Sequence, residues 1–258
     1  MEASVLKADK IRKKYMSEKG FSVTAIEDFS LSISENEFVS ILGPSGCGKS
    51  TFLRMVAGLE NGNEGSLTYK DKIIKKQHPE IGMVFQDYSL LPWRTVLDNV
   101  VLGLEFEGIN KKMRYEEGLK YLKIVGLENF SQAYPYELSG GMQQRVAMVR
   151  SLVKKPSLLL MDEPFGALDA HTRMILQKEL LDIWEKDKKT ILFVTHSVDE
   201  AIYLSDRVIV MSGSPGTVKE VIPIELPRPR DRGDASYGKL LSLLIRMLGE
   251  EYNKVKPA

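Results

Sequence analysis

Apolar and polar positions alternate in three short runs near the start of the chain, Val5–Ala8, Val23–Ile26 and Phe29–Ile33. Alternation of that period predicts half-buried antiparallel strands, placed here at the edge of the sheet that holds the apolar run Glu37–Leu42, with Tyr15 in the loop between the first two. Ser66–Tyr69, Ile81–Phe85, Arg207–Met211 and Thr217–Ile222 read as further strands. Ser157–Met161 and Thr190–Thr195 are apolar apart from the terminal Ser157, Thr190 and Thr195, the mark of strands covered on both faces of a parallel sheet. Helical spacing appears at Lys49–Ala57, with Phe52, Leu53 and Val56 on the inner face. It continues through most of Leu97–Val153, where Tyr115, Leu119, Leu122 and Val125 are spaced for one stripe. It returns at Ala170–Lys186, with Ile175, Leu176, Glu179, Leu180 and Ile183 on one face, and in a short helix capped by Ser197. After the linker Pro227–Arg232, Leu240, Leu244, Met247 and Leu248 form the stripe of an amphipathic helix expected to pack back on the core. The pattern predicts an α/β core over 1–86 and 157–233 with an antiparallel β edge, an inserted helical subdomain at 87–156, and a C-terminal helix and tail at 234–258.

Composition narrows the function classes. The 258 residues are 43% hydrophobic and carry 36 basic against 35 acidic side chains, a formal charge of +1. Such balance gives no electrostatic footprint for nucleic acid. No apolar run approaches the roughly 20 residues that cross a bilayer, and Met1–Lys7 lacks a signal-peptide core, so a cytoplasmic protein is expected. The single Cys47 excludes an intramolecular disulfide and a cysteine metal site. A small loop filler is its expected role.

Cys47 lies inside the stretch on which the chain's chemistry turns: Gly43-Pro44-Ser45-Gly46-Cys47-Gly48-Lys49-Ser50-Thr51. It fits the phosphate-loop pattern G-x-x-x-x-G-K-[ST] between a predicted strand and a predicted helix. A glycine-rich turn in that position lets successive backbone N–H groups converge on an anion, and the positive helix N-terminus adds attraction. Lys49 can reach the β- and γ-phosphates, and the Ser50 hydroxyl can ligate Mg²⁺. The fold class implied is a RecA-like P-loop NTPase core that takes ATP and Mg²⁺.

Asp162 and Glu163 end a buried strand, where open α/β sheets place their ligands. Asp162 is the natural metal partner, and Glu163 is placed to act as base on an attacking water. His196, at another strand end, can donate a hydrogen bond to the γ-phosphate. Gln86 can reach both metal and water and can link the active site to the helical insertion.

A second anion site is surplus to one phosphate loop. In Leu138-Ser139-Gly140-Gly141-Met142-Gln143-Gln144-Arg145, Ser139 opens a helix whose first turn carries two glycines and unobstructed amides. The order of phosphate loop, glutamine, Leu-Ser-Gly-Gly, Asp-Glu and histidine resembles the ATP-binding subunit of ABC transporters, from about Val5 to Val221. That resemblance implies a head-to-tail homodimer in which Ser139, Gly140 and Gly141 of one copy close over ATP held by the other. It implies that Ala167-Leu168-Asp169 crosses between subunits and that Tyr15 stacks on adenine, with Phe21 as a contender. The fifth signature position is Met142 where the family has Gln, away from the Ser and Gly that contact the anion.

Gln86–Trp93, Asp98-Asn99-Val100 and Pro227–Arg230 are similar to importers of the nitrate/sulfonate/taurine type. The resemblance implies a peripheral subunit on the cytoplasmic side of the cell membrane, partnered by an integral permease and, through it, a solute-binding protein. Leu91-Pro92-Trp93 would meet the permease, although Trp93 could also fill an interface between lobes. A non-transport ABC ATPase and a P-loop kinase are the alternatives. The first usually brings a long coiled-coil insertion or a second nucleotide domain, and the second leaves Leu-Ser-Gly-Gly unexplained.

Overall fold

The computed structural model describes residues 4–16, 20–166, 168–186 and 188–255. The chain divides into two compact units, Met1–His78 with Lys189–Ala258, and Pro79–Lys188. In chain order the first unit begins with strands β1 (Ser4–Met16), β2 (Ser22–Ser34) and β3 (Phe38–Leu42). It continues with helix α1 (Lys49–Val56) and strands β4 (Glu64–Tyr69) and β5 (Lys72–Ile73). The second unit holds β6 (Ile81–Val84), α2 (Val96–Val100), α3 (Leu102–Phe106), α4 (Lys111–Ile124), α5 (Gly140–Leu152), β7 (Leu158–Asp162) and α6 (Ala170–Lys186). The chain then returns to the first unit as β8 (Thr190–Thr195), α7 (Val198–Leu204), β9 (Arg207–Met211), β10 (Val218–Pro223) and α8 (Ala235–Val255).

In the first unit β3 is the central strand, parallel to β8 on one side and β9 on the other, with β10 antiparallel to β9. Every residue of β3 and β8 is buried, which is why both read as mostly apolar runs without alternation. The alternating segments do not edge this sheet. They form a separate antiparallel sheet in the order β2-β1-β4-β5. Tyr15 accordingly lies within β1, paired with Val23, and not in a loop. Register shifts around Ala8/Ile11, together with Lys10 at φ 47° and Asp28 at φ 45°, mark bulges in both long strands. A bulge moves the alternation out of phase, so each 13-residue strand shows it only in short stretches, one in β1 and two in β2.

Helix α8 packs as its pattern predicts. Leu244, Met247 and Leu248 are buried against Ala201, Ile202, Val208 and Val210, with Leu240 partly buried beside them. Tyr237 heads the stripe at 1% exposure and donates its hydroxyl hydrogen bond to the Asp199 carboxylate at 2.6 Å. Arg230, also buried, donates to the carbonyls of Ile202, Tyr203, Ile224 and Leu226. Desolvation lowers its pKa to about 10, so it remains a cation that satisfies the terminal carbonyls of α7.

In the second unit β6 and β7 pair in parallel, Ile81 beside Leu158. Besides helices α2 to α5, this unit takes in β6, β7 and α6. Two predicted stripes are displaced. On α4 Leu119 is exposed, and Gly118 is buried in its place because α2 comes so close that a Cβ would stand 2.5 Å from the Val101 side chain. On α6 the buried set is Leu176, Gln177, Leu180, Leu181 and Trp184, while Ile175 is exposed. Both faces satisfy a 3.6-residue period, and burying the large Trp184 ring decides between them.

Candidate nucleotide site

The phosphate loop joins β3 to α1 in the first unit. Gly46 at φ 79° and Gly48 at φ 92° hold left-handed conformations. Gly46 has open space where a side chain would stand, so its backbone is accessible to a ligand. Gly48 is the N-cap of α1, and a Cβ there would collide with the Ala25 carbonyl of β2 at 2.7 Å. Pro44, Cys47 and Lys49 are buried, Ser45 is exposed, and Ser50 and Thr51 are half-buried. The Lys49 ammonium donates to the Gly43 and Pro44 carbonyls at 2.8 and 2.9 Å, so it lies across the hollow of its own loop. Cys47 is buried, and desolvation raises its thiol pKa, in keeping with a filler. A cradle with an open glycine, a spanning ammonium and a helix N-terminus suits the phosphate chain of a nucleotide.

Tyr15 is 41% exposed, with its hydroxyl on Glu60 at 2.5 Å and within 3.5 Å of Thr51, so it stands beside the first turn of α1. Lys13 covers the ring at 4.9 Å from its centroid. Burial, then the bond to Glu60, raises the phenol pKa and keeps it a neutral donor. Phe21 is 76% exposed. Glu60 belongs to no motif, and only the fold brings it to Tyr15. His196 follows β8 and is exposed. Around it, Thr195 donates to Glu200 at 2.6 Å and accepts from the Ser197 N–H at 3.0 Å, which sets the start of α7.

The second unit carries the other predicted residues. Asp162 is buried at the end of β7. Glu163 follows at φ 46°, a left-handed conformation that costs a non-glycine residue about 1–3 kcal/mol and gathers at functional sites. The Gly166 N–H bonds to its carbonyl at 3.1 Å, closing the turn. Gln86 is exposed just beyond β6. Ser139 is the N-cap of α5 and accepts from the Met142 N–H at 3.4 Å, with Gly140 and Gly141 in the first turn. Ser139 and Gly140 are exposed. Asp169 is exposed and accepts from the N–H groups of His171 and Thr172 at 3.1 and 3.0 Å. Those bonds lower its pKa. Ala167 lies outside the described residues.

Buried Asn99 explains a short motif whose purpose the sequence leaves blank. Its side chain accepts from the Leu91 N–H at 2.7 Å and donates to the carbonyls of Leu91, Arg94 and Thr95. These bonds fold the segment that displays Trp93, which is 72% exposed. Arg150 of α5 ties the same segment down by donating to the carbonyls of Tyr88 and Ser89 at 2.9 and 2.7 Å. Beside it Gln86, Tyr88, Pro92, Pro135, Tyr136 and Gln143 line an open cavity of about 520 Å³.

Comparison with known proteins gives the family. The ABC transporter family model matches residues 26–166. An ABC transporter ATP-binding protein of Methanocaldococcus jannaschii is 53% identical over 91% of this chain and 88% of its own length. An aliphatic sulfonates import ATP-binding protein, SsuB, of Bacillus cereus is 44% identical over 90% of this chain and 92% of its own. Among solved structures, the ATP-binding cassette MJ0796, a dimer in a post-hydrolysis state bound to ADP and Pi, superposes with a TM-score of 0.78. It is 34% identical and covers 85% of this chain and 99% of its own. The chain belongs to the ABC transporter family and is an ATP-binding cassette, an ATPase with the P-loop NTPase fold.

Proposed function

We propose that this cassette powers a membrane importer of small solutes of the nitrate, sulfonate or taurine kind, working as a peripheral subunit at the cytoplasmic face. The observation that carries the reading is near-full-length similarity to sulfonate import subunits, at 44% identity over 90% of the chain. Among the described residues no helix is long and apolar enough to cross a membrane, so this chain would rely on an integral permease for the pathway.

In this reading the amides of 46–50 and the Lys49 ammonium hold the β- and γ-phosphates, while Tyr15 stacks on adenine. The Ser50 hydroxyl, the Asp162 carboxylate and the Gln86 amide are hard oxygen donors of the kind Mg²⁺ takes. When bound, that ion neutralises charge on the β- and γ-oxygens. Glu163 accepts the proton of the attacking water, and His196 donates to the γ-phosphate as charge builds there. Ser139, Gly140 and Gly141 of a second copy close over the γ-phosphate, with Asp169 on the segment that crosses between copies. Closure of this homodimer on ATP moves the permease, and hydrolysis reopens it. The solute-binding protein acts through the permease, and nucleic acid plays no part.

The permease contact falls at Trp93, an exposed ring on a segment stiffened by Asn99 and Arg150, next to an open cavity. Exposed aromatics on rigid supports make strong interface anchors. The assembled complex, recovered from membranes with its permease and placed in vesicles, tests this. Trp93→Ala is expected to leave ATPase activity of the isolated cassette within about twofold while solute uptake falls at least tenfold. Unchanged uptake rejects the docking role. Absence of any integral partner would support a non-transport ABC ATPase instead.

A further inference from the structure

The phosphate loop is walled by a turn that the C-terminal helix holds. Between β9 and β10, Gly213-Ser214-Pro215-Gly216 turns back beside the loop. Gly216 packs so tightly on it that a Cβ would lie 1.9 Å from the Cys47 carbonyl oxygen. The Gly216 N–H donates to the Ala25 carbonyl at 3.0 Å, and its carbonyl accepts from the Glu27 N–H at 3.1 Å. Ala25 is the residue whose carbonyl also presses on Gly48. At the other end of the loop, a Cβ on Gly43 would stand 3.1 and 3.2 Å from Met211 Cβ and O. Met211, Ala25 and Gly216 therefore bound the loop from Gly43 to Gly48.

The turn is in turn fastened by α8. Glu251, 1% exposed in its last turns, accepts from the Gly213 N–H at 3.2 Å and pairs with Lys219 of β10 at 2.9 Å. A buried carboxylate is costly unless it is paired and hydrogen-bonded, so its place opposite this turn is specific. Glu251 is far along the chain from every motif residue, and none of the ATP-site roles uses it.

We infer that Glu251 is a positioning residue for nucleotide binding: through Gly213 and Gly216 it sets the shape of the phosphate loop, making α8 part of the ATP site's support. The inference rests on residues 43–51 being the phosphate loop. Close backbone packing leaves little slack, so a turn that shifts must move the Cys47 carbonyl or separate from it.

Steady-state ATPase assays on the full chain test the link. Glu251→Leu keeps bulk and removes the acceptor; it is expected to raise KM for ATP about fivefold with kcat within about twofold. Glu251→Gln retains an acceptor oxygen and is expected to restore a near-native KM. Gly216→Ala perturbs the loop end of the same chain of contacts and is expected to raise KM in the same direction; if Glu251→Leu does not fold, Glu251→Ala, which also removes the acceptor, decides the matter. A merely structural role would lower the active fraction, and so kcat, at unchanged KM; that result overturns the proposal. Lys49→Ala separates the two readings. If it abolishes ATP binding while Glu251→Leu and Gly216→Ala keep native KM, only the positioning role fails. If Lys49→Ala binds ATP normally, the phosphate-loop reading fails and the positioning role with it.

Discussion

The Tyr15 hydroxyl donates a hydrogen bond to the Glu60 carboxylate at 2.5 Å. Glu60 also pairs with Lys13 at 3.5 Å and with Arg54 at 3.7 Å, so the aromatic is tied to a small charged cluster at the end of α1. The ring is thereby held beside the phosphate loop by its polar tip, with much of its body open to solvent.

A ring held that way is expected to contribute to nucleotide affinity and not to chemistry. Tyr15→Ala should weaken ATP binding about tenfold, the scale of one lost stacking contact, and change kcat at saturating ATP by less than about threefold. Equilibrium binding and steady-state kinetics measure the two quantities separately. Native affinity would move the adenine role to Phe21.

At Glu163 the expectation is the reverse. Glutamine there keeps the shape and the turn but cannot accept a proton. Glu163→Gln should lower turnover by about a hundredfold or more while retaining ATP, and gel filtration with ATP should show a stable dimer. Near-normal hydrolysis would rule Glu163 out as the base.

A third prediction concerns pH and the second unit. Burial of Asp98 works to raise its pKa, but bonds donated by Tyr115 and Thr95, and the charge of Arg94, outweigh it and hold the carboxyl below its ordinary value. A carboxyl lowered on folding stabilises the protein fully above its unfolded pKa, about 3.9, and loses that contribution as pH falls through the folded value. Asp98→Asn should therefore melt about 2–4 °C lower than the native chain at neutral pH. Thermal melts across acid pH should show the gap narrowing below about pH 4. A gap that stays constant would mean the charge on Asp98 is not what matters.

Much of this protein is legible in order along the chain. The phosphate loop, the Leu-Ser-Gly-Gly helix start, the Asp162-Glu163 strand end and the β8–His196 junction are contiguous motifs, each recognisable from adjacent residues alone. Predominantly apolar runs located β3, β7 and β8, because strands buried on both faces show no alternation and few polar positions. The family followed from the order of these pieces.

What the tertiary structure decided is which of several locally acceptable arrangements is used, and which distant residues support the motifs. Bulges at Lys10 and Asp28 set the register of β1 and β2 and put Tyr15 in a strand. Close approach of α2 turned Gly118, and not Leu119, toward the core. Glu60, Gly216 and Glu251 carry no recognisable pattern, because their partners lie at separations no local period can encode. A motif states which groups can meet a phosphate; only packing across the chain states what holds them still.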